Sequence, residues 1–67
     1  MFQISLEAAR VNAKMSQKEV ATRLDVNTST ISNWENGKTA PSVGQFRRLC
    51  EIYGCPMDII FLTDNSL

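Results

Sequence analysis

The chain has 67 residues, enough for one domain around one small core, which excludes a multidomain enzyme and holds net stability to a few kcal/mol. Hydrophobic residues make up 43% and charged residues 21%, the balance of a folded globular chain rather than a disordered one. The formal net charge is zero, but all seven basic residues lie in residues 1–48 against four acidic ones (+3), and residues 49–67 hold the other three acidic residues (−3), so one basic side can still face phosphate.

Helix punctuation recurs along the chain, and no segment alternates apolar and polar residues over a useful length. The expectation is therefore an all-α fold of five short helices, without strands, over a single domain spanning residues 1–67. Ser5 suits the N-cap of the first helix, whose Leu6, Ala9 and Ala13 share a face that Ala8 and Val11 widen. "SQKEVATRL" has Ser16 three residues before Glu19, the capping-box pattern, which predicts a second helix from Gln17 to Leu24 with Val20, Ala21 and Leu24 inward. Only "DVN" separates it from a third helix, "TSTISNWE", which Asn27 can cap and Gly37 can end in the left-handed conformation. Ser42 then caps a fourth, with Val43, Phe46, Leu49, Cys50 and Tyr53 inward and Gly54 closing it. Pro56 suits the start of a short fifth helix through "MDIIFL".

The third helix poses a question. Ile31 and Trp34 give it an inward pair at helical spacing, yet its other positions are mostly Ser, Thr and Asn, which compete with the backbone for hydrogen bonds and make a poor solvent face. Two short helices joined by about three residues, the second with a polar face, is the arrangement that inserts its second helix into a DNA major groove. In detail, "SQKEVATRLDVNTSTISNWENGKTAPS" resembles the helix-turn-helix of the phage repressor and Cro family, the Xre-like family, with Gln17, Ala21, Val26, Ile31, Glu35, Gly37, Lys38 and Pro41 on its pattern. The resemblance covers about residues 5–62 and implies a lambda-repressor-like bundle that binds double-stranded DNA. Two positions depart from the pattern: Lys14 and Asp25 stand where the family often has Gly.

A groove-inserted helix needs side chains that are short, able to donate and accept, and free of carboxylates that phosphates would repel, and Ser, Thr and Asn meet all three demands. With Ile31 and Trp34 inward, Thr28, Ser29, Ser32 and Asn33 point outward or flank, and they are the candidate base contacts. Asn33 is the foremost, since an amide can pair with adenine through two hydrogen bonds. Gln17, at a helix start where free N–H groups favour an anion, is a candidate for phosphate. The resemblance adds Asn36 and Lys38 to that group, and Thr39 and Ser42 supply further hydroxyl donors. It also implies an ion pair between Arg10 and Glu35 that joins the first helix to the end of the third.

The remaining features are plainer. Cys50 and Cys55, with no His in the chain, lack the partners of a zinc site and are expected to be free thiols acting as small hydrophobes, with no cofactor and no metal. No set of nucleophile, base and orienting group converges, so an enzyme is not expected. No apolar run nears the roughly 18 residues of a membrane span and no signal peptide is evident, which gives a cytoplasmic expectation without a membrane. Arg47 and Arg48 are expected as solvated charges. "MDIIFL" is more apolar than one short helix can hide, which points to a homodimer contact at Met57, Ile60 and Phe61. The functional expectation is a transcriptional regulator, in the first place a repressor on a pseudo-palindromic operator. The alternatives are an antitoxin that binds a toxin with the same fold, and an interaction module that has lost DNA binding; a toxin or an inducer protein is then a further partner.

Overall fold

A computed structural model describes residues 3–61, and of Phe61 the backbone alone. Four α-helices follow a two-residue strand: β1 (Ile4–Ser5), α1 (Leu6–Asn12), α2 (Gln17–Leu24), α3 (Thr28–Glu35) and α4 (Val43–Tyr53). A single 3-10 turn (Met57–Ile59) leads into β2 (Ile60–Phe61), which pairs in parallel with β1 in the register Ile4 to Ile60 and Ser5 to Phe61. The fold is thus a helical bundle whose two ends are tied by a short ladder.

The expected fifth helix and the expected absence of strands both need correction here. Pro56 precedes the turn instead of entering it, and its carbonyl accepts only the Ile59 N–H, at 3.3 Å. Beyond that turn the β-branched Ile60 favours extended backbone, and the backbone of Ile4 and Ser5 supplies the ladder partners. A ladder of two residues is too short to leave an alternating pattern in the sequence.

Helix starts follow the hydroxyl caps. Ser5 Oγ accepts from the Ala8 N–H at 3.1 Å and Ser16 Oγ from the Glu19 N–H at 3.0 Å. Ser42 forms a full capping box, its Oγ accepting from the Gln45 N–H at 3.2 Å while its own N–H donates to Gln45 Oε1 at 2.9 Å. Asn27 differs from expectation: it occupies the N-cap position of α3 in extended conformation, but its side chain makes no cap hydrogen bond.

All four helices stop in the same way. In each, one residue turns left-handed, its N–H bonds the carbonyl three residues back, and the next N–H bonds the carbonyl five residues back. The closing bonds are Met15 N–H to Arg10 O (3.2 Å), Val26 to Ala21 (3.0 Å), Lys38 to Asn33 (2.9 Å) and Cys55 to Cys50 (3.1 Å). The left-handed residues are Lys14 (φ 60°), Asp25 (φ 59°), Gly37 (φ 77°) and Gly54 (φ 72°). Two helices therefore use the left-handed stop without glycine.

The core gathers Leu6, Ala9, Val20, Ala21, Ile31, Trp34, Leu49, Cys50, Tyr53 and Ile60, with Val20, Ile31 and Leu49 the most completely enclosed large side chains. Three side chains taken as inward from the sequence lie outward. Ala8 and Val11 are both exposed on α1, whose buried side is Leu6 and Ala9, with Ala13 half-buried just past its end. Val43 is exposed because helical side chains lean toward the N-terminus, so a first-turn residue overhangs the core edge. Ile60, expected at a dimer contact, is only 5% exposed within its own chain. Its side chain completes the core, whereas Met57 stays exposed and the Phe61 side chain lies outside the described residues. No helix among the described residues is long and apolar enough to cross a membrane.

A non-glycine residue held left-handed costs on the order of 1 kcal/mol. Asp25→Gly and Lys14→Gly are each expected to stabilise the chain by about 0.5–1 kcal/mol and to raise Tm by several degrees. Thermal melting checks this, and an unchanged or lowered Tm for both contradicts it.

Candidate nucleic-acid interface

Helix α3 is held by its apolar side. Ile31 is 1% exposed and Trp34 4%, and they seat the helix against α2 and α1. The opposite side of the helical wheel carries Ser29, Ser32, Asn33 and Asn36, with Thr28 at its edge. Thr28, Ser29 and Asn36 are exposed and Ser32 and Asn33 half-buried, so the outward stripe is polar and bears no formal charge. Asn36 Nδ2 donates to Ser32 Oγ at 3.2 Å, one turn apart on this stripe.

The only carboxylate of α3 points the other way. Glu35 Oε2 accepts from Arg10 Nε at 2.7 Å, and Glu35 Oε1 accepts from Arg10 Nη2 at 3.3 Å, a two-pronged pair in which the side chains are 13% and 4% exposed. Arg10 Nη1 donates to the Met15 carbonyl at 2.9 Å, so one guanidinium ties α1 to the α1–α2 loop and to the end of α3. The hydrogen bond with Glu35 raises the Arg10 pKa, outweighing burial, which lowers it.

Gln17 joins this network, which the sequence had not suggested. Its Nε2 donates to Glu35 Oε1 at 2.9 Å, leaving one amide N–H for another acceptor. The first residue of α2 and the last residue of α3 are thereby linked directly. Lys38, Thr39 and Ser42 are exposed on the segment that leaves α3. The Lys38 N–H, and more weakly the Thr39 N–H at 3.5 Å, return to the Asn33 carbonyl, which sets this segment against the C-terminal end of the polar stripe. Ser42 is half committed: its Oγ and N–H serve the α4 capping box, and its O–H remains to donate.

Away from this side, Cys50 and Cys55 are free thiols, both pushed up in pKa by burial and therefore poor nucleophiles. Arg47 and Arg48 are exposed on α4, and Arg48 Nη2 donates to the Arg23 carbonyl at the end of α2 at 3.3 Å.

The family model described as helix-turn-helix matches residues 6–60 of the chain, from the start of α1 to β2. The chain belongs to this helix-turn-helix family, of the Xre and Cro type, a family of DNA-binding regulatory domains and not typically of enzymes. Comparison with curated proteins and with solved structures gives no significant match.

Removing Glu35 leaves the Arg10 guanidinium enclosed without its counter-charge, so Glu35→Ala is expected to cost about 3–5 kcal/mol, most of what a domain of this size has. Replacing both partners, as Arg10→Met with Glu35→Leu, should recover much of that loss because no charge is then stranded. Denaturant unfolding of the three chains checks it; equal stability of Glu35→Ala and the unaltered chain contradicts it.

Tyr53 gives a pH dependence. Burial foremost, with the Glu35 carboxylate adding to it, raises its pKa from 10.0 to about 12. The fold thus favours the protonated phenol. This contribution to stability is full below pH 10 and is lost as pH rises toward about 12, a difference of roughly 2–3 kcal/mol. Tyr53→Phe, which has nothing to ionise, should show less alkaline loss than the unaltered chain in urea unfolding between pH 9 and 12, and parallel curves would contradict the assignment.

Proposed function

We propose that this chain is a sequence-specific regulator of transcription that binds double-stranded DNA as a homodimer, lays α3 of each copy in the major groove of one half of a pseudo-palindromic operator, and represses by occupying a promoter. The observation that carries the reading is the division of α3: an outward stripe of uncharged hydrogen-bonding groups, and a single carboxylate turned inward onto Arg10. A carboxylate left on the stripe would face phosphate, and a hydrophobic stripe would have nothing to read.

In this reading Thr28, Ser29, Ser32 and Asn33 meet base edges. Gln17, Asn36, Lys38, Thr39 and Ser42 meet the sugar-phosphate backbone on both sides of the helix and fix its register. Arg10 and Glu35 hold the two groups in one frame. A two-fold axis would set the half-sites about 34 Å apart, one helical turn, with exposed Met57 in the contact between copies. Such a regulator works in the cytoplasm and needs no cofactor.

Zero net charge favours a second reading, a module of the same fold that binds protein, an antitoxin on its toxin being one form of it. The two separate by experiment. Binding of the purified chain to an enriched duplex should weaken steeply with salt, and Lys38→Ala should weaken binding to every sequence alike while reducing the slope of log K against log salt by about 1. Binding that is weak, blind to sequence and indifferent to Lys38→Ala would overturn the DNA reading and leave the protein-binding one.

A further inference from the structure

The DNA reading leaves open which base pairs the helix meets, and the side chains of its face restrict them. The commonest contact to guanine is an Arg or Lys donating to N7 and O6 together. No Arg or Lys lies on α3. The cations nearby are placed elsewhere: all three guanidinium nitrogens of Arg10 donate inward, to Glu35 and to the Met15 carbonyl, and Lys38 lies past the left-handed Gly37, where its backbone closes the helix end.

What the face does offer matches A·T pairs. The Asn33 side chain makes no hydrogen bond within the described residues, so its carbonyl and amino groups are both available, and that donor and acceptor side by side complement N7 and the N6 amino group of adenine. Ser32 Oγ already accepts from Asn36, which leaves the Ser32 O–H to donate and suits it to an acceptor such as purine N7 or thymine O4. Thr28, exposed at the first position of α3, can place its methyl against the thymine methyl.

We propose that the contacted core of each half-site is composed of A·T pairs, with Asn33 on one adenine, Thr28 against a thymine methyl and Ser32 donating to a neighbouring acceptor. This inference rests on the DNA-binding reading above. The test selects binding sites from a random duplex pool with the full chain, then swaps single base pairs and replaces single adenines by 7-deaza-adenine, which lacks N7. An enriched inverted repeat with an A·T core is expected. At one adenine, exchange for G·C should weaken binding by about 5- to 100-fold, 7-deaza substitution should weaken it by several-fold, and Asn33→Ala should abolish both penalties. The DNA-side substitutions stand by themselves if that variant folds poorly. An enriched repeat with a G·C core overturns this inference and spares the DNA reading, as does a 7-deaza penalty of the same size with and without Asn33. No enriched sequence at all overturns the DNA reading and this inference with it.

Discussion

Glu35 stands at the last position of the helix that faces outward, and its side chain is nevertheless only 4% exposed. Three elements meet there. Arg10 of α1 grips both oxygens, its third nitrogen holds the Met15 carbonyl of the following loop, and Gln17 brings the start of α2 to the same oxygen. In a 67-residue chain with ten buried core residues among those described, such a junction adds a polar tie between α2 and α3 to their apolar packing. Because both charges are largely desolvated, the pair is costly to break and only modestly stabilising in itself, which suits a part that sets geometry.

That geometry has an electrostatic consequence. Drawing the one carboxylate of α3 into the bundle leaves an outward stripe of amides and hydroxyls. The charge is unevenly spread along the sequence: residues 1–48 sum to +3, and of the three acidic residues that balance them Glu51 lies on α4 and Asp58 on the turn that follows. What remains near the stripe is Lys38, carried past the helix by the left-handed turn at Gly37 and tied back to Asn33 through the backbone. Under the proposed function, sequence discrimination would come from hydrogen bonding and methyl contacts, with phosphate attraction in a supporting part.

Local signals carried most of this into the sequence. Ser16 with Glu19 marked α2 to the residue, Ser42 marked α4, and Gly37 and Gly54 marked two helix ends, since each depends on atoms within one turn. Lys14 and Asp25 were legible as stops only through the family pattern, because nothing in their own chemistry demands a left-handed residue. The Gln17 to Glu35 bond and the pairing of Ile4 with Ile60 were invisible for a different reason: they join residues far apart in the chain, and no periodicity encodes a single long-range contact. The apolar run at 57–62 was ambiguous in the same way. Its length suited a helix, and the strand arises from pairing with Ile4 and Ser5, far away in the chain.

The central claim is that α3 presents its polar stripe to DNA as one preset surface, and nuclear magnetic resonance of the isotopically labelled chain titrated with an enriched duplex tests it most directly. The account predicts that amide shifts concentrate in residues 28–39 and at Gln17, with little change over the outer side of α1 at Ala8 and Val11. Shifts centred on that outer side, or an equal response to a scrambled duplex, would contradict it.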